Sequence, residues 1–235
     1  MINVTTAMIL AAGKGTRMGP LTRQVPKPML PVRGKPILEH IVRHLATHGI
    51  RKIVINVHYL PDVIVNYFGD GSRWGVTILY SRESQLLETG GGVANARPFF
   101  PDETVFLANG DVLCDVTPQE LIGLHALKGA RVTLTVLPSQ NYREYSLILY
   151  DRNYRVVDIL PKGTPPPPGV PSGIYTGHAL LHPRAIGHLN PVPHSIVSML
   201  FKPLIETNGI YVYPYSGKWI DFGTREKYTQ ITNKY

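Results

Sequence analysis

Residues 5–28 read TTAMILAAGKGTRMGPLTRQVPKP. From Thr5 to Ala12 the run carries no charge, and Met8 to Ala11 is predicted as a buried strand. It empties into a loop that holds Gly13, Gly15 and Gly19 beside Lys14, Arg17, Arg23 and Lys27. Like charges crowded on one loop repel, so a partner is expected to offset them. Glycines let a backbone approach an anion, and exposed N–H groups then bind it. Charge alone leaves two readings open, a polyphosphate cradle and a solvated basic loop. Spacing excludes two common cradles. The dinucleotide fingerprint needs its third glycine where Met18 stands, and no G-x-x-x-x-G-K-[ST] run exists.

Outward from this loop the first half alternates strand and helix. A helix is predicted from Pro36, with Ile37, Leu38, Ile41, Val42 and Leu45 on one face and Glu39 on the solvated side. Lys52–Val57, Val76–Tyr80 and Thr104–Ala108 read as strands; Asp62–Phe68, Gly92–Arg97 and Pro118–Lys128 read as helices or their starts. Strands linked by helical crossovers imply a mostly parallel sheet covered on both faces. The second half differs. Arg131–Leu137, Ser146–Tyr150, Arg155–Leu160 and Tyr175–Leu181 are strands without long helices between them, an antiparallel extension. A helix over Ser195–Thr207, a strand over Ile210–Tyr213 and a last helix from Thr224 complete one three-layer αβα domain over 1–235. The Thr164–Gly169 stretch, with its four prolines, reads as a stiff loop.

The chain has 235 residues, 43% of them hydrophobic and 17% charged, enough for a real core. A formal charge of +8 attracts anions. The cations are scattered singly, with no aromatic-interleaved basic stripe, so no nucleic-acid partner is expected. No apolar run is long enough to span a membrane, and no signal peptide opens the chain, so cytoplasm is the expectation. One cysteine, Cys114, rules out an internal disulfide. His178, His182, His188 and His194 lack a metal-ligand spacing and are expected to pack or face solvent.

Two carboxylates stand at predicted element ends. Asp111, in Asn109-Gly110-Asp111, follows a strand and falls at the same sheet edge as the glycine loop. Such a carboxylate facing a polyphosphate is a natural magnesium ligand, and an ordinary Asn-Gly-Asp turn is the alternative. Asp221, between Trp219, Ile220 and Phe222, is expected to be partly buried, so it needs a partner or a metal. Capping the last helix is its alternative role.

These residues together resemble a known family. Ala11-Ala12-Gly13-Lys14-Gly15-Thr16-Arg17-Met18, Pro20-Leu21-Thr22 and Pro26-Lys27-Pro28-Met29-Leu30-Pro31-Val32 are similar to the signature of the sugar-1-phosphate nucleotidylyltransferases. Asn109-Gly110-Asp111 and Trp219-Ile220-Asp221-Phe222-Gly223-Thr224 resemble its two metal-binding turns. Leu87-Glu88-Thr89-Gly90-Gly91-Gly92 is similar to the bacterial branch that acts on N-acetylmuramic acid 1-phosphate with UTP. Mannose- and heptose-1-phosphate guanylyltransferases are near relatives in this resemblance. It implies a Rossmann-like nucleotidyltransferase fold, with a nucleotide-binding half over 1–130 and a sugar-binding half over 131–235.

The resemblance also implies an enzyme that joins a nucleoside triphosphate to a sugar 1-phosphate and releases pyrophosphate, with Mg2+ as cofactor. Arg17, Lys27, Asp111 and Asp221 would be catalytic, and the two aspartates would hold the ion. Ala11, Ala12, Gly13, Gly15, Thr16, Glu88, Gly90, Gly91 and Gly110 would bind the nucleotide. Asn109, Lys162, Thr176 and Gly177 would meet the sugar phosphate. Many relatives carry Glu-Lys-Pro before the sugar turn; here Leu160-Pro161-Lys162-Gly163 stands instead. A catalytically silent nucleotide-binding subunit is the rival reading from another class. The chain stops soon after Asp221, so no further domain is expected, and the protein is expected to be a monomer or a small homo-oligomer.

Overall fold

The computed structural model describes residues 2–233. In chain order, β1 is Thr6–Leu10, and a two-residue hairpin pairs β2 (Pro31–Val32) with β3 (Lys35–Pro36). Then come α1 (Ile37–Thr47), β4 (Lys52–Val57), α2 (Pro61–Phe68), β5 (Thr77–Arg82) and α3 (Glu88–Ala96). β6 (Val105–Asn109), β7 (Val112–Cys114), α4 (Pro118–Leu127), β8 (Val132–Pro138), β9 (Leu147–Tyr150) and β10 (Val156–Leu160) follow. β11 (Ser172–Leu181), α5 (Pro183–Ile186), a π-helical turn (Val197–Phe201) continuing into α6 (Lys202–Glu206), β12 (Ile210–Pro214), β13 (Trp219–Asp221) and α7 (Arg225–Thr232) complete the described chain.

Nine strands form one mixed sheet in the order β10-β9-β11-β6-β1-β4-β5, with β8 pairing β11 and β12. Strands β6, β1, β4 and β5 are parallel, as the helical crossovers require. β11 runs antiparallel to β6, β8 and β9 and so joins the parallel half to the antiparallel extension. β12 is an exception within that extension, since it lies parallel to β8.

Two apolar clusters sandwich the sheet. On one face Ala7, Ile9, Ile53, Ile55 and Phe106 pack against Ile37, Leu38, Ile41 and Val42 of α1 and Ile64 and Phe68 of α2. On the other, Met8, Val54, Val105 and Leu107 pack against Val93 and Ala96 of α3 and Leu200, Phe201 and Leu204. Successive residues of one strand serve opposite clusters, which is why these strands read as largely apolar runs and not as alternating ones.

Two expectations are corrected. Glu39 is not solvated: it is 2% exposed, because Tyr67 of α2 lies across it and donates to its carboxylate, while Arg43 binds the other oxygen at 2.6 Å. Burial raises its pKa, but the bonds from Tyr67 and Arg43 outweigh that and leave it lowered. The helix expected to start at Gly92 starts at Glu88 instead. Its glycines serve packing. A Cβ on Gly91 would stand 2.1 Å from the Val192 carbonyl oxygen, so the 192–196 segment lies directly on the helix backbone. Gly90 and Gly91 both donate N–H to the His194 carbonyl, at 2.9 and 3.3 Å. Thr224 caps α7 as expected, accepting from Lys227 N.

Gly91→Ala forces that contact apart and should destabilise the chain by about 1–3 kcal/mol, read as a lower midpoint in urea unfolding. Acid should also destabilise it. Burial lowers the His125 and His178 imidazoles from 6.5 to about 4. Between those values the unfolded chain binds more protons, so their stabilisation is full above pH 6.5 and is lost as pH falls toward 4. The melting temperature is expected to drop from pH 7 to pH 5, and less so in His178→Asn; equal drops in both proteins would remove His178 from the account.

Candidate active site

The site begins where two parallel strands end. Leu10 of β1 stands in register with Asn109 of β6, and Gly110 N donates to the Leu10 carbonyl at 2.9 Å. A Cβ on Gly110 would come within 2.7 Å of that oxygen, so glycine permits the approach. The chain after β1 and the turn after β6 therefore open on the same edge. A cavity of about 520 Å3 lies there. Ala11, Ala12, Gly13, Gly15, Thr16 and Arg17 form one wall, Lys27, Asn109 and Asp111 line it further in, and Glu88 and Thr89 belong to the facing segment.

The glycine loop is polar but held. Gly15 takes a left-handed turn (φ 64°) into a 3-10 stretch, Thr16–Thr22. Met18 is fully buried beneath it, and the Thr22 hydroxyl donates to the Gly15 carbonyl at 3.1 Å. Tyr59 OH donates to the Thr22 carbonyl at 2.8 Å and ties the loop to the rest of the domain. Arg17 is exposed on the cavity wall and has no partner among the described residues. Lys27 is different: it is 6% exposed, and its ammonium binds the Asp111 carboxylate.

Asp221 is set by a second sheet. β13 pairs antiparallel with β7, which places Asp221 opposite Val112, and Phe222 N donates to the Asp111 carbonyl at 3.2 Å. The two aspartates thus sit at one end of a short ribbon. Their side chains face different spaces. Asp221 lines a neighbouring recess with Tyr145, Trp219 and Lys227, while Gly223 lines the main cavity. The Asp221 carboxylate accepts from Gly223 N at 2.7 Å, Tyr145 OH at 2.9 Å and Lys227 Nζ at 3.2 Å. Burial lowers the Lys227 pKa, but hydrogen bonds to Tyr145 and Asp221 outweigh it and leave the amine raised. Among the described residues no group of three or more His, Cys, Asp or Glu side chains could hold a metal ion.

The other predicted residues divide. Gly90, Gly91 and Gly110 lie behind the cavity wall, packed on Val192, His194 and Leu10. Thr176 is buried and donates to the Thr135 carbonyl, and its own carbonyl accepts from Trp219 Nε1. Gly177, at φ 85°, lets β11 pass close to Asn109, where a Cβ would meet Nδ2 at 2.6 Å. Lys162 is exposed on a turn whose Gly163 N binds the Tyr142 carbonyl, outside the cavity wall. The sequence reading missed Asn56, Leu86 and Ser195, which line the cavity. Asn56 carried one signal, as a polar residue inside the apolar run of Lys52–Val57.

The family described as nucleotidyl transferase matches residues 6–235. A mannose-1-phosphate guanylyltransferase of Mycobacterium tuberculosis is 34% identical over 95% of this chain and 62% of its own length. A UTP–glucose-1-phosphate uridylyltransferase of Synechocystis is 32% identical over 95% of this chain and 61% of its own. The chain thus spans about three-fifths of the length of these relatives. Among solved structures, HddC of Yersinia pseudotuberculosis in complex with GMP-PN has a TM-score of 0.82 at 23% identity, covering 97% of this chain and 98% of that one. That likeness concerns the fold. With a family match that runs from β1 to the end of the chain, the protein belongs to the nucleotidyl transferase family.

Proposed function

We propose that the chain transfers a nucleotidyl group from a nucleoside triphosphate to a sugar 1-phosphate. One observation carries the reading: Lys27 and Asp111, 84 positions apart, meet on the wall of the glycine-loop cavity. In the proposed reaction a phosphate oxygen of the sugar 1-phosphate attacks the α-phosphorus. The bond from that phosphorus to the β-phosphate oxygen breaks, and pyrophosphate leaves. Arg17, exposed and without a partner among the described residues, would neutralise charge on the departing pyrophosphate, and Lys27 would hold the reacting phosphate. Ala11, Ala12, Gly13, Gly15, Thr16 and Glu88 would border the nucleotide. Asn109, with Thr176 and Gly177 behind it, would border the sugar, and Lys162 is the proposed outer cation for the sugar phosphate. Nucleotide contacts fall mainly to 1–130 and sugar contacts to 131–235.

A divalent ion, magnesium in this proposal, would neutralise phosphate charge and align the reactants. The donor set fits it. Magnesium takes hard oxygens from one or two carboxylates together with substrate phosphates, and Asp111 presents a carboxylate to the cavity. In the protein alone, the ammonium groups of Lys27 and Lys227 stand beside Asp111 and Asp221 as cations. Asp111 would hold the ion first, with Asp221 added from the other strand of the ribbon.

For the substrates, the Leu87–Gly92 run supports UTP with an N-acetylated sugar 1-phosphate, and a glucose-1-phosphate uridylyltransferase among the relatives accords with the UTP part alone. GTP with mannose or heptose 1-phosphate is the second reading, supported by the guanylyltransferase relative. Pyrophosphate release from UTP, GTP, CTP and dTTP against a panel of sugar 1-phosphates, with magnesium, tests both. Release with one pair is expected, and none with any pair would favour a silent nucleotide-binding subunit. Asp111→Asn and Asp221→Asn should each keep the fold and lower magnesium-dependent turnover by about a hundredfold or more. Full activity in both would remove the ion assignment. Arg17→Ala should lower turnover more than it weakens sugar-phosphate binding, and the reverse would move Arg17 out of the leaving-group role.

A further inference from the structure

The two walls of the cavity are joined by a buried chain of three hydrogen bonds. Ala11 N donates to Asn56 Oδ1 at 2.7 Å, Asn56 Nδ2 donates to Glu83 Oε1 at 2.7 Å, and Leu87 N donates to Glu83 Oε2 at 2.9 Å. Asn56 is 2% exposed and Glu83 6%. Ala11 belongs to the glycine-loop wall, and Leu87 immediately precedes Glu88 and Thr89 of the facing segment. Helix α3 presses on the pair, since a Cβ on Gly92 would stand 2.7 Å from Asn56 Nδ2 and 3.0 Å from Glu83 Oε1. The Glu83 backbone is anchored too, its N–H on the Val57 carbonyl and its carbonyl on the His58 ring.

The ends of this chain are backbone N–H groups, which only donate. The two side chains between them must therefore present three acceptor faces and one donor face. Asparagine with a carboxylate does so. Asparagine with glutamine presents two donors and two acceptors, and every amide orientation leaves at least one donor facing a donor. Two ionised carboxylates leave acceptor facing acceptor, so the Asn56→Asp variant is read above the pH at which the pair takes up a shared proton. An aspartate at 56 with a glutamine at 83 restores all three bonds with nearly the same atoms.

We infer that Asn56 and Glu83 are a positioning pair that sets the separation of the two cavity walls and thereby the fit of the nucleoside. The inference rests on the nucleotide reading above. Glu83 acts through Asn56 and Leu87, and neither residue belongs to the phosphate loop. The pair should therefore govern nucleoside binding and leave pyrophosphate binding alone.

The test is calorimetric titration of the wild-type chain, Asn56→Asp, Glu83→Gln and the double variant with UTP, GTP, CTP, dTTP and inorganic pyrophosphate, all with magnesium. Each single variant should weaken the preferred nucleotide about tenfold or more, the effect of one mismatched buried hydrogen bond. Pyrophosphate affinity should stay near the wild-type value, and the double variant should recover the nucleotide affinity. Single variants that lose thermal stability but bind nucleotide like wild type would overturn the inference, as would a folded double variant that still binds weakly. Should the singles fail to fold, the double variant alone decides in the same way. A wild-type chain that binds none of the four nucleotides would overturn the nucleotide reading and this inference with it.

Discussion

Strands β1 and β6 lie side by side and run the same way, with Ala7 to Leu10 in register with Phe106 to Asn109. Parallel neighbours must end at the same edge, so the two chain segments that leave them are forced together. One is the glycine loop with its cations and the other is the turn that bears Asp111. The hydrogen bond from Gly110 N to the Leu10 carbonyl extends the pairing one step beyond the strands. Much of the site depends on this constraint. The cavity, the meeting of Lys27 with Asp111 and the ribbon that brings Asp221 alongside all build on it.

The loop's charge is then managed unequally. Lys27 is buried and needs a partner, which Asp111 supplies. Arg17 stays exposed and, among the described residues, uncommitted. An anion entering the cavity would meet Arg17 without first breaking a bond, whereas the Lys27 ammonium is already held by Asp111. The Lys227–Tyr145–Asp221 cluster repeats the pattern in the neighbouring recess, where a lysine balances the second aspartate.

How much of this could be read beforehand depended on whether the cause was local. Lys52–Val57 was legible as a strand because burial on both faces leaves an apolar run broken only by Asn56 after Lys52. Arg17 and Lys27 stood out because their motif is specific in length and spacing, whereas the short turns of Asp111 and Asp221 drew their meaning from it. Glu39 was misread because helical periodicity knows nothing of Tyr67, which comes from another helix. The start of α3 was misread because its glycines answer to Val192 and His194, far along the chain. Strands β7 and β13, three residues each, carry too little pattern to be seen singly and exist only as a pair. The Asn56–Glu83 link was invisible for the same reason: each residue is an ordinary polar one until the fold sets them together.

The ribbon of β7 and β13 also bears on how the protein comes into being. Its two strands are separated by almost half the chain, so their contact closes a very long loop and adds much to the mean sequence separation of contacts. Local crossover units around β1, β4 and β5 can form early, whereas this ribbon must wait until residues 219–221 have been made. During synthesis the nascent chain therefore builds the glycine-loop wall well before it can bring Asp221 beside Asp111. A ribosome-bound chain released from its tunnel only as far as β12 would hold most of the sheet while lacking one of the two carboxylates.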